Sequence, residues 1–194
     1  QGVSFYKYDH VGTFRDRSKL STILNDGCNE FIGNLVPVVL PDERGPLGYL
    51  GQMQESGRDG GHAAMALGLA VDIAHVAWNQ GDDLFSYMDN RLAAGIEFTA
   101  ACTQNETGLP WTNYKYVDCR TAWHNGWLMT APAEPAEVRK YWGTVIGHYE
   151  GVKGVKMHYA EKAYQQMGID AGGMGGTSGG YDHLGYSVLM NTYD

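Results

Sequence analysis

Nine consecutive residues, Gln54-Glu55-Ser56-Gly57-Arg58-Asp59-Gly60-Gly61-His62, bring together a carboxamide, two carboxylates, a guanidinium and an imidazole. An imidazole moves protons near neutral pH, and a guanidinium holds an anion through paired N–H bonds. Carboxylates pair with the guanidinium or themselves act as acid and base. Three glycines interrupt the run, and Ala63 to Ala77 follows as an apolar stretch without proline, in which Asp72 is the one acid. Polar groups crowded against the start of a buried helix point to a cleft, with a solvated loop as the plainer alternative.

Each member has two readings. His62 opens a helix, where the positive end of the dipole favours neutral imidazole, so it suits a base; otherwise it caps the helix. Arg58, four residues earlier, either clamps an anionic ligand or forms an internal salt bridge to Glu55 or Asp59, and the two flanking acids favour the salt bridge. Further along, Arg139, Trp142, Ile146 and Tyr149 recur at helical spacing with His148 adjacent. A phenol and a guanidinium on one stripe supply an acid and a carboxylate clamp, or else they are core residues with a polar handle. Asp72, His75 and Asn79 form another polar stripe, read as solvated or as contacts between hairpins. There is no His-Glu-x-x-His or Cys-x-x-Cys, so neither a metal nor another cofactor is expected. The glycine-rich run from Gly172 to Gly180 lacks the lysine of a phosphate-binding loop. Tyr181, Asp182 and His183 follow it, and Tyr181 could stack on a pyranose, as could Trp111, Trp123 or Trp127.

Helical hairpins must position these groups. A first helix is expected over 18–33, capped by Ser18, followed by a connection punctuated by Pro37, Pro41, Gly45 and Pro46. From His62 to Asn79 the positions Leu67, Val71, Ala74 and Trp78 give a helical stripe, which Gln80-Gly81 ends. Asp82 is expected to cap a second helix running through Cys102, antiparallel to the first. An aromatic-rich loop from Thr103 to Pro135 leads to a second hairpin, Pro135 to Glu150 and Gly154 to Met167, and Tyr181 to Met190 forms a last short helix or strand. The class is therefore mainly α, one domain over 1–194, with antiparallel hairpins forming an α/α toroid or part of one.

With 43% hydrophobic residues the chain can fill a core, and its net charge of -8 argues against a nucleic-acid partner. No run of about eighteen apolar residues and no polybasic segment suggests a membrane. The three cysteines fit buried thiols better than a bridge, although a Cys102 to Cys119 pairing remains an alternative.

The strings Gln54-Glu55-Ser56-Gly57-Arg58-Asp59 with His62, Ala77-Trp78-Asn79-Gln80-Gly81-Asp82-Asp83-Leu84, Asp89-Asn90-Arg91 and Thr177-Ser178-Gly179-Gly180-Tyr181-Asp182-His183-Leu184-Gly185 carry a resemblance. With them the chain resembles the alginate-lyase superfamily of polysaccharide lyases. The resemblance implies metal-independent β-elimination on an anionic polysaccharide of uronic acids by a secreted or periplasmic enzyme. It implies His62 and Tyr149 as the base and acid pair, with either as the base, Arg58 and Arg139 as carboxylate clamps, and Gln54, Glu55, His148, Tyr181 and Asp182 as substrate contacts. Members usually carry further hairpins before the first motif, so this chain looks like the C-terminal half of the catalytic domain, completed by a missing N-terminal segment or by homo-oligomerisation. They often carry a further Tyr where Ile146 stands. Two other functions are open: an inverting glycoside hydrolase using Glu55 and Asp59, and a non-catalytic carbohydrate-binding fragment.

Overall fold

In a computed structural model the described residues are 51–52, 54–109, 111, 113–115, 127–134, 139–168, 170 and 186–191. The helix expected over 18–33, the proline-punctuated connection after it, Cys119, Trp123, the glycine run, Tyr181 and Asp182 lie outside them.

The described residues are mainly helical. A short 3-10 turn, Gln54–Gly57, leads into helix α1, Gly60–Trp78. Helix α2 spans Tyr87–Thr103, and a two-stranded ribbon pairs β1, Tyr114–Lys115, with β2, Leu128–Met129. Helix α3, Trp142–Ile146, widens into a π-helical turn, Gly147–Val152. Then come α4, His158–Met167, and the final turn α5, Ser187–Met190.

α1 forms where its stripe predicts, burying Ala63, Leu67, Val71, Ala74 and Ala77. Gly81 turns the chain with a φ of 87°, a left-handed conformation that glycine adopts without strain. The second helix begins five residues later than Asp82. Leu84 and Phe85 are both buried, so the chain first drops into the core before it can turn helical at Tyr87. Asp83 manages this entry, its Oδ1 accepting the Ser86 N–H at 3.1 Å. By length and composition α1 is, among the described residues, the one helix that could cross a membrane. Here it packs against α2 with its apolar stripe in the core.

One core unites the hairpins: Leu67, Val71 and Ala74 of α1 meet Ile96 and Ala100 of α2, Trp142, Val145 and Tyr149 of the third segment, and Ala160 and Ala163 of α4. α2 and α4 run side by side in the same direction. Glu97 faces the start of α4 while Gln104 exchanges two hydrogen bonds with Gln166 near its end, at 3.0 and 2.9 Å. The buried Glu97 carboxylate accepts the N–H groups of Tyr159 at 3.0 Å and Ala160 at 2.8 Å. It thereby satisfies amides that the helix itself leaves open. Burial pushes its pKa up, against the pull of those N–H bonds, and the net shift is upward.

The final turn docks on α3 through small residues. Asp170 accepts from the Ser187 N–H and hydroxyl at 2.6 and 2.5 Å and from the Val188 N–H at 3.1 Å. Asn191 reaches the Thr144 hydroxyl at 2.9 Å. A Cβ on Gly147 would overlap the backbone carbonyl of Asn191. Gly147→Ala is accordingly expected to lower stability by about 2 kcal/mol and Tm by about 6 °C, because backbone must yield to the new methyl. Thermal denaturation followed by circular dichroism checks this.

Candidate functional site

The polar loop folds around Glu55 and Asp59. The Glu55 carbonyl accepts the N–H groups of Arg58 and Asp59, both at 3.0 Å, which closes the turn and brings the chain to the start of α1. Asp59 is extended (φ -159°, ψ 117°) and caps the helix, its Oδ1 accepting the His62 N–H at 3.0 Å. Its second oxygen, Oδ2, lies 3.1 Å from Nδ1 of the His62 ring. One carboxylate thus fixes both the backbone and the imidazole of His62. With Nδ1 donating to Asp59, the basic lone pair falls on Nε2.

Both side chains of this pair face solvent, His62 at 48% and Asp59 at 43% of full exposure. Partial burial would raise the Asp59 pKa, but the backbone and ring hydrogen bonds from His62 and its charge outweigh it. The carboxyl is therefore held below the usual aspartate value.

Arg58 turns the other way. Its Nη1 is 2.6 Å from Glu55 Oε2, with both side chains largely buried, so the internal salt bridge is the arrangement found. Glu55 and Asp59, the carboxylates a glycoside hydrolase would need, are thus each engaged, one with Arg58 and one with His62. Gln54 lies in the first turn of the loop.

The β-ribbon covers this loop. Trp111 donates from Nε1 to the Met129 carbonyl at 3.2 Å, and the Ala133 N–H reaches the Ser56 carbonyl at 2.7 Å. A crevice opens between Ser56 of the loop, Ala63 of α1, Phe98, Thr99 and Cys102 of α2, and Glu134. Burial pushes the Cys102 thiol up to about 12, so it stays protonated at neutral pH and is no nucleophile.

Tyr149 and His148 stand elsewhere. Tyr149 is fully buried and donates to the Phe85 carbonyl at 3.0 Å. His148, also buried, stacks on Phe85 with ring centroids 3.7 Å apart and meets the edge of Trp78 at 4.7 Å. Lys153 pairs with Asp83 and lies 4.8 Å from the centre of the Trp78 ring. Arg139 is buried as well. His62 and Trp78 lie at opposite ends of α1, about 24 Å apart along its axis at 1.5 Å per residue. The expectation that Tyr149 and His62 share one site is therefore not met: the aromatic stripe fills the core. Its helical spacing was sound, but a stripe points toward core and cleft alike, and here hydrophobic burial decides.

Tyr149→Phe is expected to leave any turnover unchanged and to cost about 1 kcal/mol of stability, because the Phe85 carbonyl loses its buried donor. Parallel activity assays and urea titrations check both halves. Asp59 is the member that sequence reasoning passed over as a partner of His62. Its signal was present in the Asp-x-x-His spacing, which lets an N-cap carboxylate also reach the side chain three residues on. Among the described residues no three of His, Cys, Asp and Glu converge as metal ligands would. Comparison with family models, with curated proteins and with solved structures gives no match to this chain.

Proposed function

We propose that the chain is part of a polysaccharide lyase that cleaves a uronic-acid polymer by β-elimination, with His62 as the base. The exposed His62 ring, oriented by Asp59 so that Nε2 carries the free lone pair, is the observation that carries this reading. In the reaction Nε2 takes the C5 proton, the C4–C5 double bond forms and the C4–O4 bond breaks. The imidazolium returns its proton to O4. In D-mannuronate and D-glucuronate H5 and O4 lie on the same face of the ring, so one group can perform both transfers. In L-guluronate they lie on opposite faces, so this arrangement favours the first two sugars. Parallel stacking of α2 on α4, the second helices of successive hairpins, supports an α/α toroid or part of one. A charged uronan polymer does not cross a membrane unaided, which supports a secreted or periplasmic site of action.

A second reading, a carbohydrate-binding or incomplete catalytic unit, is favoured by a different observation. Tyr149 and Arg139 are buried and Arg58 is paired with Glu55, so none of these three stands ready as a carboxylate clamp beside His62. Absorbance of the conjugated unsaturated uronate, followed over alginate, polymannuronate, polyguluronate and glucuronan, separates the two. A rise on polymannuronate or glucuronan supports the lyase. A flat trace with folded protein on every polymer favours the binding unit.

A further inference from the structure

The structure distinguishes the aromatic residues near the loop from one another. Trp111 is committed inward: its Nε1 donates to Met129, and its ring lies against Gly57. Trp127 is 57% exposed, immediately before β2. Residues alternate sides along a strand, so Trp127 shares the face of Met129, whose Cβ also packs against Gly57. It lies about 7 Å from Met129 along that face. Leu128, exposed between them, points to the other side of the ribbon. A single sugar ring needs only one exposed aromatic face.

We propose that Trp127 is a stacking platform for one pyranose ring of a uronan chain whose scissile unit lies at His62. This rests on the lyase reading for its ligand class. The electron-rich indole face attracts the weakly positive C–H face of a pyranose and repels a carboxylate. The sugar therefore lies with its C–H groups on the ring and its carboxylate turned to water. The Trp111–Met129 and Ala133–Ser56 bonds tie the ribbon that follows Trp127 to the loop.

The test uses the His62→Ala chain, so that binding is read without turnover, titrated by calorimetry with tetramannuronate and tetraglucuronate and with a neutral tetrasaccharide as control. Adding Trp127→Ala is expected to weaken uronate binding about five- to tenfold, and Trp127→Tyr to restore most of it. Unchanged affinity in Trp127→Ala, or no binding of either uronate by the His62→Ala chain, overturns the platform. Turnover by the wild-type chain judges the base separately. Uronate cleavage with an unaltered KM in a Trp127→Ala chain sinks the platform alone, and Trp127-dependent binding without cleavage sinks the base alone.

Discussion

His62→Ala is expected to reduce cleavage of polymannuronate or glucuronan by about a thousandfold, the contribution typical of a positioned general base. The fold should survive, because the ring projects into solvent and its described polar contact is with Asp59. Asp59→Asn refines the experiment. Asparagine caps helices as well as aspartate does, so α1 keeps its start, but its amide cannot stabilise the imidazolium that forms during proton transfer. Turnover is expected to fall about ten- to a hundredfold with little change in Tm. If His62→Ala and the wild type cleave at equal rates, His62 is not the base.

The second large effect concerns acid stability. Burial between Phe85 and Trp78 lowers the His148 pKa to about 4, helped by the nearby positive charge of Lys153 and by His75, with Asp83 opposing. An unfolded histidine titrates near pH 6.5, so between that value and about 4 the unfolded chain binds a proton that the folded chain refuses. The stabilisation is complete above pH 6.5 and is lost as pH falls, by about 3 kcal/mol in all. Asp83 is also shifted downward. Its desolvation, which works upward, is outweighed by Lys153 and Ser86, and its loss therefore falls at still lower pH. Urea unfolding at pH 7 and pH 4.5 reads the effect. His148→Phe, which retains an aromatic ring against Phe85, is expected to flatten the difference, and an equal slope in the two proteins would contradict the assignment.

Much of this molecule could be read from the chain, for physical reasons that differ by element. α1 was legible because Leu67, Val71 and Ala74 repeat on one face and Gly81 supplies the stop. The start of α2 was not: Asp82 has the chemistry of a cap, but burial of Leu84 and Phe85 outweighs a local capping bond. The ribbon escaped notice because strands of two residues are too short to show alternation. The π turn of 147–152 has no residue signature distinguishing it from the α-helix expected there, and residues 139–141 precede α3 rather than belonging to it. In the site, Glu55–Arg58 and Asp59–His62 were within reach of inference because both pairs lie three residues apart. The separation of Tyr149 from His62 was not, since spacing along a helix says which face a residue occupies and nothing about which end of another helix it meets.

Glu97 has a further consequence for how the chain folds. The residue before α4 is Met157, whose side chain makes no capping bond, and Glu97 supplies that function from 62 residues upstream. Within the second hairpin Glu150 accepts the Met157 N–H at 2.9 Å, while the Tyr159 and Ala160 amides are left to Glu97. Those two amides gain their carboxylate once α2 is formed and adjacent, and Glu97 leaves water with its charge compensated once α4 is there to receive it. Neither hairpin completes its packing ahead of the other. The two should therefore melt in a single transition, and a cut anywhere between them should leave two pieces that do not fold autonomously.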